Sequence, residues 1–137
     1  MAFATAAQTY ARIGLETSVA AASPARLVVM LYDGALGAIA DARRHQAAGK
    51  VALRGRSLGH AMAIVREGLR ASLDTSRGGE IAHQLSDLYL FIELRLFTAN
   101  STGADKPLAE AAALLADLRE AWVTLAENGP RAPRPVN

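Results

Sequence analysis

Apolar positions recur every three and four residues along most of this chain, and they divide it into four stretches separated by short runs of turn-forming residues. From Pro24 to Ala48, Leu27, Leu31, Ile39 and Ala42 fall on one side of a helix. Arg26, Asp33, Gly37, Asp41 and Arg44 fall on the other, which makes the stretch amphipathic with a period near 3.6. Ser23 can cap its first turn, Pro24 suits the first helical position, and Gly49 suits the residue after its end. Between Val51 and Asp74 the core stripe is Leu58, Met62, Val65, Leu69 and Leu73, opposite Arg56, His60, Ala63, Glu67 and Arg70. A small-residue stripe of Ser57, Ala61, Ile64, Gly68 and Ala71 runs between them and favours close approach of another helix.

Thr75-Ser76-Arg77-Gly78-Gly79 breaks the pattern with turn chemistry, and a third helix is predicted from about Glu80 to Asn100. Its second half, Leu88 to Phe97, is apolar nearly all round, whereas a surface helix needs only one apolar stripe. After Ser101-Thr102-Gly103-Ala104, a fourth helix runs from about Lys106 to Glu127, with Asp105 as its N-cap. Leu108, Ala111, Leu115, Leu118, Trp122 and Leu125 form its core stripe, and Asn128-Gly129-Pro130 stops it. Connections this short join antiparallel neighbours, so the predicted fold is all-α, an antiparallel four-helix bundle over residues 23–128. Residues 1–22 read as a loosely ordered arm carrying Tyr10, Ile13, Leu15 and Val19 as apolar anchors. Residues 129–137 read as a disordered Pro- and Arg-containing tail.

Composition sharpens this picture without overturning it. The 137 residues fit one domain, 51% of them are hydrophobic and only 5% aromatic, so the core must come from aliphatic side chains. The formal charge of +2 is small and spread along the chain, against the basic stripe that nucleic acid would require. Without cysteine there is no disulfide framework and no thiolate chemistry. No apolar run reaches membrane-spanning length and no Sec-type leader is evident, so the expected compartment is the cytosol, without membrane insertion.

Candidate chemistry is sparse. His83 and Asp87, four apart, could share a metal, but the paired Glu-x-x-His motifs of a helical-bundle metal site are missing. His60 on the wet face of the second helix has the placement of a phosphotransfer histidine, but Ala61-Met62-Ala63-Ile64 follow it, with Arg66 the nearest cation. The expectation is a non-enzyme without cofactor or metal.

The wording of the sequence says more than its pattern. Ser23-Pro24, the run Leu27-x-x-Met30-Leu31-Tyr32-Asp33-Gly34-Ala35-Leu36, Gly78-Gly79-Glu80-Ile81-Ala82 with Leu85, Leu88 and Tyr89, Leu96 with Ala99-Asn100, and Leu114-Leu115 with Leu118-Arg119-Glu120-Ala121-Trp122 occur in this order. Together they resemble the flagellar secretion chaperone family, FliS. The family usually has Thr where this chain has Ala21, and the tail after Glu127 matches nothing in the family core. The resemblance implies a cytosolic export chaperone that binds the disordered C-terminal segment of flagellin, blocks premature polymerisation, and has the flagellar export apparatus as a further partner. It also implies an apolar receiving surface. The excess hydrophobicity of the third helix assigns Leu90, Phe91, Leu94 and Phe97 to that surface, with Ile64 beside them and Tyr10 and Ile13 on a removable cover. The rival reading is a generic helical adaptor or oligomerising bundle, and the sequence leaves the oligomeric state open.

Overall fold

The computed structural model describes residues 23–128. Helix α1 spans Pro24–Ala47, α2 spans Val51–Ala63 and runs on into a π-helical segment Ile64–Arg70, α3 spans Thr75–Thr102, and α4 spans Lys106–Asn128. Among the described residues there is no strand. Helix α1 lies against α2 and α4, and α3 closes the bundle by packing on α2, the π segment and α4.

The helix ends follow local chemistry. The Ser23 hydroxyl accepts a hydrogen bond from the Arg26 N–H at 3.1 Å, with Pro24 in the first turn, where its missing N–H costs nothing. Gly49 turns the chain out of α1 with φ 71°, and Gly103 ends α3 with φ 74°, both in the left-handed region that favours glycine. Asp74 caps α3 by accepting from the N–H groups of Ser76 and Arg77. The Ser76 hydroxyl, followed by these N–H bonds, holds the Asp74 carboxyl below its ordinary range, so the cap stays charged.

Two features refine the sequence reading. The turn-forming run before Glu80 becomes one extra helical turn from Thr75, joined to the long helix by a kink at Gly79 (φ 59°, ψ −138°). A side chain there would be strained, so the glycine is what lets the two pieces join. The π segment, seen in the Ala71 N–H bonding to the Arg66 carbonyl at 3.0 Å, was invisible to periodicity. Asp105 stands immediately before α4 as expected, its carbonyl accepting from the Ala109 N–H at 3.0 Å, and its carboxylate forms a two-pronged pair with Arg43, both contacts at 2.8 Å.

The core runs the length of the bundle through Leu31, Ile39, Leu58, Val65, Ile92, Leu96 and Leu115, all fully or almost fully buried. Burying each such side chain stabilises the fold by about 1.5–3 kcal/mol. At its centre Tyr32 of α1 and Tyr89 of α3 meet across the bundle with their hydroxyls hydrogen-bonded and rings 6.4 Å apart. Burial, and then the neighbouring Tyr89, push the Tyr32 phenol far up; burial also raises Tyr89. Both hydroxyls therefore stay neutral at physiological pH. Leu125, assigned by its spacing to the core, is 45% exposed.

At one end of the bundle, buried Arg54 donates to the Gln46 side chain and the Asn100 carbonyl, and Gln46 donates to the Gly103 carbonyl. These carbonyls belong to the end of α3, where the helix dipole is negative and a cation is favourable.

The small-residue stripe of α2 faces α1. A Cβ on Gly68 would lie 2.7 Å from Leu31 Cδ2, whereas one on Gly59 would meet nothing within 4 Å. Chemical denaturation should find Gly68→Ala destabilised by about 1–3 kcal/mol through overpacking. Gly59→Ala should be stabilised by roughly 0.5–1 kcal/mol through helix propensity. Equal effects would mean that Leu31 has room to move. The tyrosine pair has a pH signature. Its raised folded pKa values give stability that is complete below the ordinary phenol value of 10.0 and is lost as pH rises beyond it. A Tyr32→Phe/Tyr89→Phe double variant should lose less stability than the parent between pH 9 and 11, measured by urea unfolding at each pH.

Candidate functional site: the outer face of the third helix

The near-uniform hydrophobicity of Leu88–Phe97 resolves into two faces. Tyr89, Ile92, Leu96 and Ala99, spaced by three and four, point into the core and are buried. Leu90, Phe91, Leu94 and Phe97 point outward and are 42%, 47%, 54% and 62% exposed. Leu90, Leu94 and Phe97 form one line by their spacing of four and three, with Phe91 beside it. About half of each side chain is already covered, so a partner burying the rest would gain on the order of 1 kcal/mol from each.

Both edges of this face carry charge. On the α2 side stands Glu93, whose carboxylate is 3.0 Å from Arg70 and 3.9 Å from Arg66 of the π segment. On the α4 side, Arg95 pairs with Glu110 and lies over the Phe91 ring, 5.9 Å from its centroid. Toward the end of α3 the hydroxyls of Thr98, Ser101 and Thr102 donate to carbonyls one turn back, at 2.8–3.0 Å. Hydroxyls satisfied within the helix can be covered with little desolvation cost.

Four of the seven residues assigned to a receiving surface are thus brought together: Leu90, Phe91, Leu94 and Phe97. Ile64 is not with them. It is fully buried in the core, because the α2 stripe that carries it is turned toward α1. Tyr10 and Ile13 lie outside the described residues. The edge arginines were missed. Their charge alone carries no signal, since Arg70 falls on the face that reads as wet and Arg66 enters only as the cation nearest His60, whereas the π turn and Glu93 tie both to α3. His60, His83 and Asp87 are exposed, and no group of three His, Asp or Glu converges among the described residues. No helix among those residues is long and apolar enough to cross a membrane.

The sequence profile of the family described as "Flagellar protein FliS" matches residues 6–129. The flagellar secretion chaperone FliS of Salmonella typhimurium is 40% identical over 115 residues, covering 84% of this chain and 85% of that protein. Its counterpart in Escherichia coli is 36% identical over 115 residues, with the same coverage. The flagellar secretion chaperone FliSB of Pseudomonas aeruginosa is 35% identical over 117 residues, covering 85% of this chain and 92% of that protein. A match of this extent, on a helical bundle whose Ser-Pro start, glycine kink and Tyr32–Tyr89 contact are built from the very blocks that carry the resemblance, places the chain in the FliS family of flagellar secretion chaperones.

Proposed function

We propose that this protein is a cytosolic, non-enzymatic chaperone that binds the C-terminal segment of flagellin, prevents its premature polymerisation and keeps it competent for flagellar type III secretion. The observation that carries the reading is the line Leu90, Leu94 and Phe97, with Phe91 beside it, standing exposed on a helix whose opposite face is fully packed. A disordered segment that folds on binding must bury apolar surface to offset its loss of conformational entropy, and an outward stripe spaced by four and three suits an amphipathic helix. Membership of the FliS family supports flagellin as the source of that helix.

Isothermal titration with flagellin C-terminal and N-terminal segments from the same genome tests the proposal. Selective binding of the C-terminal segment with a negative heat-capacity change is expected. Binding to neither segment by the folded protein would favour an adaptor without flagellin specificity. Leu94→Asp and Phe97→Asp should each weaken C-terminal binding by about 100-fold or more while changing folding stability by no more than about 0.5 kcal/mol, since both side chains are over half exposed. Circular dichroism showing loss of the bundle would instead mean that these side chains support the fold.

A further inference from the structure

The α2 edge of this face holds an unusual grouping. Glu93 follows Leu90 by three residues and precedes Phe97 by four, so it borders the apolar line directly. Its side chain is only 9% exposed, and a carboxylate that deep needs close partners. Arg70 supplies one at 3.0 Å, yet Glu93 Oε2 and Arg70 Nε both lack a hydrogen bond, so the pair is charged but poorly aligned. Arg66 stands 3.9 Å from the other oxygen, beyond hydrogen-bond range, with its side chain 56% exposed. Two guanidinium groups therefore share one carboxylate, and the outer one is only loosely held.

The two edges are not equivalent. Arg95 on the α4 side is balanced by Glu110 and rests on Phe91, so that edge is neutral. The Arg66, Arg70 and Glu93 group sets two guanidinium groups against one buried carboxylate, with Glu67 of the same segment as the arginines beside them. That segment is the π segment, a departure from regular helix found often at functional sites. A helix lying along Leu90, Leu94 and Phe97 would meet a loosely held guanidinium on the α2 side and a firmly paired one on the α4 side.

Resting on the chaperone reading above, we infer that Arg66 is a specificity-determining residue that pairs with an Asp or Glu placed one turn off the apolar stripe of the docked client helix. The client carboxylate takes Arg66 as its partner, and Arg70 keeps Glu93 neutralised. Because only the α2 edge offers a loosely held cation, the pair selects one direction of the client helix over the reverse. Charges at the rim of an interface act in this way, on partner choice and association rate more than on total affinity.

The test uses the full chain and the flagellin C-terminal segment, with affinity and association rate measured across a salt series. Arg66→Gln should weaken binding by about 3–10-fold and Arg66→Glu by roughly 10–100-fold, chiefly through slower association, and Arg66→Lys should retain most of it. Arg66 is exposed, so all three variants should unfold at the parent's denaturant midpoint. Changing each acidic residue of the segment to Lys in turn should find one that restores binding to the Arg66→Glu protein. Wild-type binding with unchanged affinity in Arg66→Glu, or no rescuing position in the segment, would overturn the role of Arg66 and leave the apolar docking intact. Failure of the wild-type protein to bind the segment would overturn both.

Discussion

The contact between Tyr32 and Tyr89 ties together the two helices that lie across the bundle from each other. Helices α1 and α3 share neighbours rather than a long interface, so their relative rotation is set by what happens in the middle. There the two hydroxyls find each other inside a largely aliphatic core, with Trp122 packed against it. A buried hydroxyl without a partner costs about 1–3 kcal/mol, so rotating either helix away from the other is penalised, although Tyr32 also has Trp122 within hydrogen-bonding reach. With α3 fixed by Tyr89, its other core residues follow at Ile92, Leu96 and Ala99. The residues between them, Leu90, Leu94 and Phe97, have no direction left but outward.

That geometric consequence explains how much could be read from the sequence. The four helices, their turns and the all-α class follow from periodicity and from Ser23, Gly49 and Gly103, whose chemistry is local. Excess hydrophobicity in α3 also signals an exposed apolar face, because a helix in a four-helix bundle is covered by its neighbours on one side only. Ile64 was misplaced for a physical reason. Its stripe of small residues could face a neighbour or a client, and only the close approach of Leu31 to Gly68 decides in favour of the neighbour. The π segment escaped because the apolar spacing through Leu58, Met62, Val65 and Leu69 fits an ordinary helix equally well. Such a widened turn is settled by long-range packing, and Glu93 is twenty-seven residues beyond Arg66, a separation that periodicity does not register.

The polar residues divide by what they hold. Arg54 with Gln46 binds the carbonyl end of α3 and is structural, as is Arg119 with Asp33, which links α4 to α1. Arg43 with Asp105 fixes the start of α4 to the end of α1. These exposed pairs on α1 and α4 each add little energy, but they orient helices whose packing supplies most of the stability. None of them lies along the outer line of α3, which is flanked among the described residues by Glu93 and Arg95 with their partners and, one turn before Leu90 and Phe91, by the exposed Asp87.

An exposed apolar face on a protein of this size carries a cost, since it invites association with anything that offers a similar surface. Three features limit that cost here. The exposed line is short and half-covered at each residue, its edges carry arginines, and its far end is closed by hydroxyls satisfied within the helix. Under the proposed function, a docked helix with an acidic flank offers the loosely held Arg66 guanidinium a carboxylate partner. On that reading, the charge at the rim favours a partner with a complementary flank over one that offers apolar surface alone, which is how a chaperone for an apolar segment would gain selectivity.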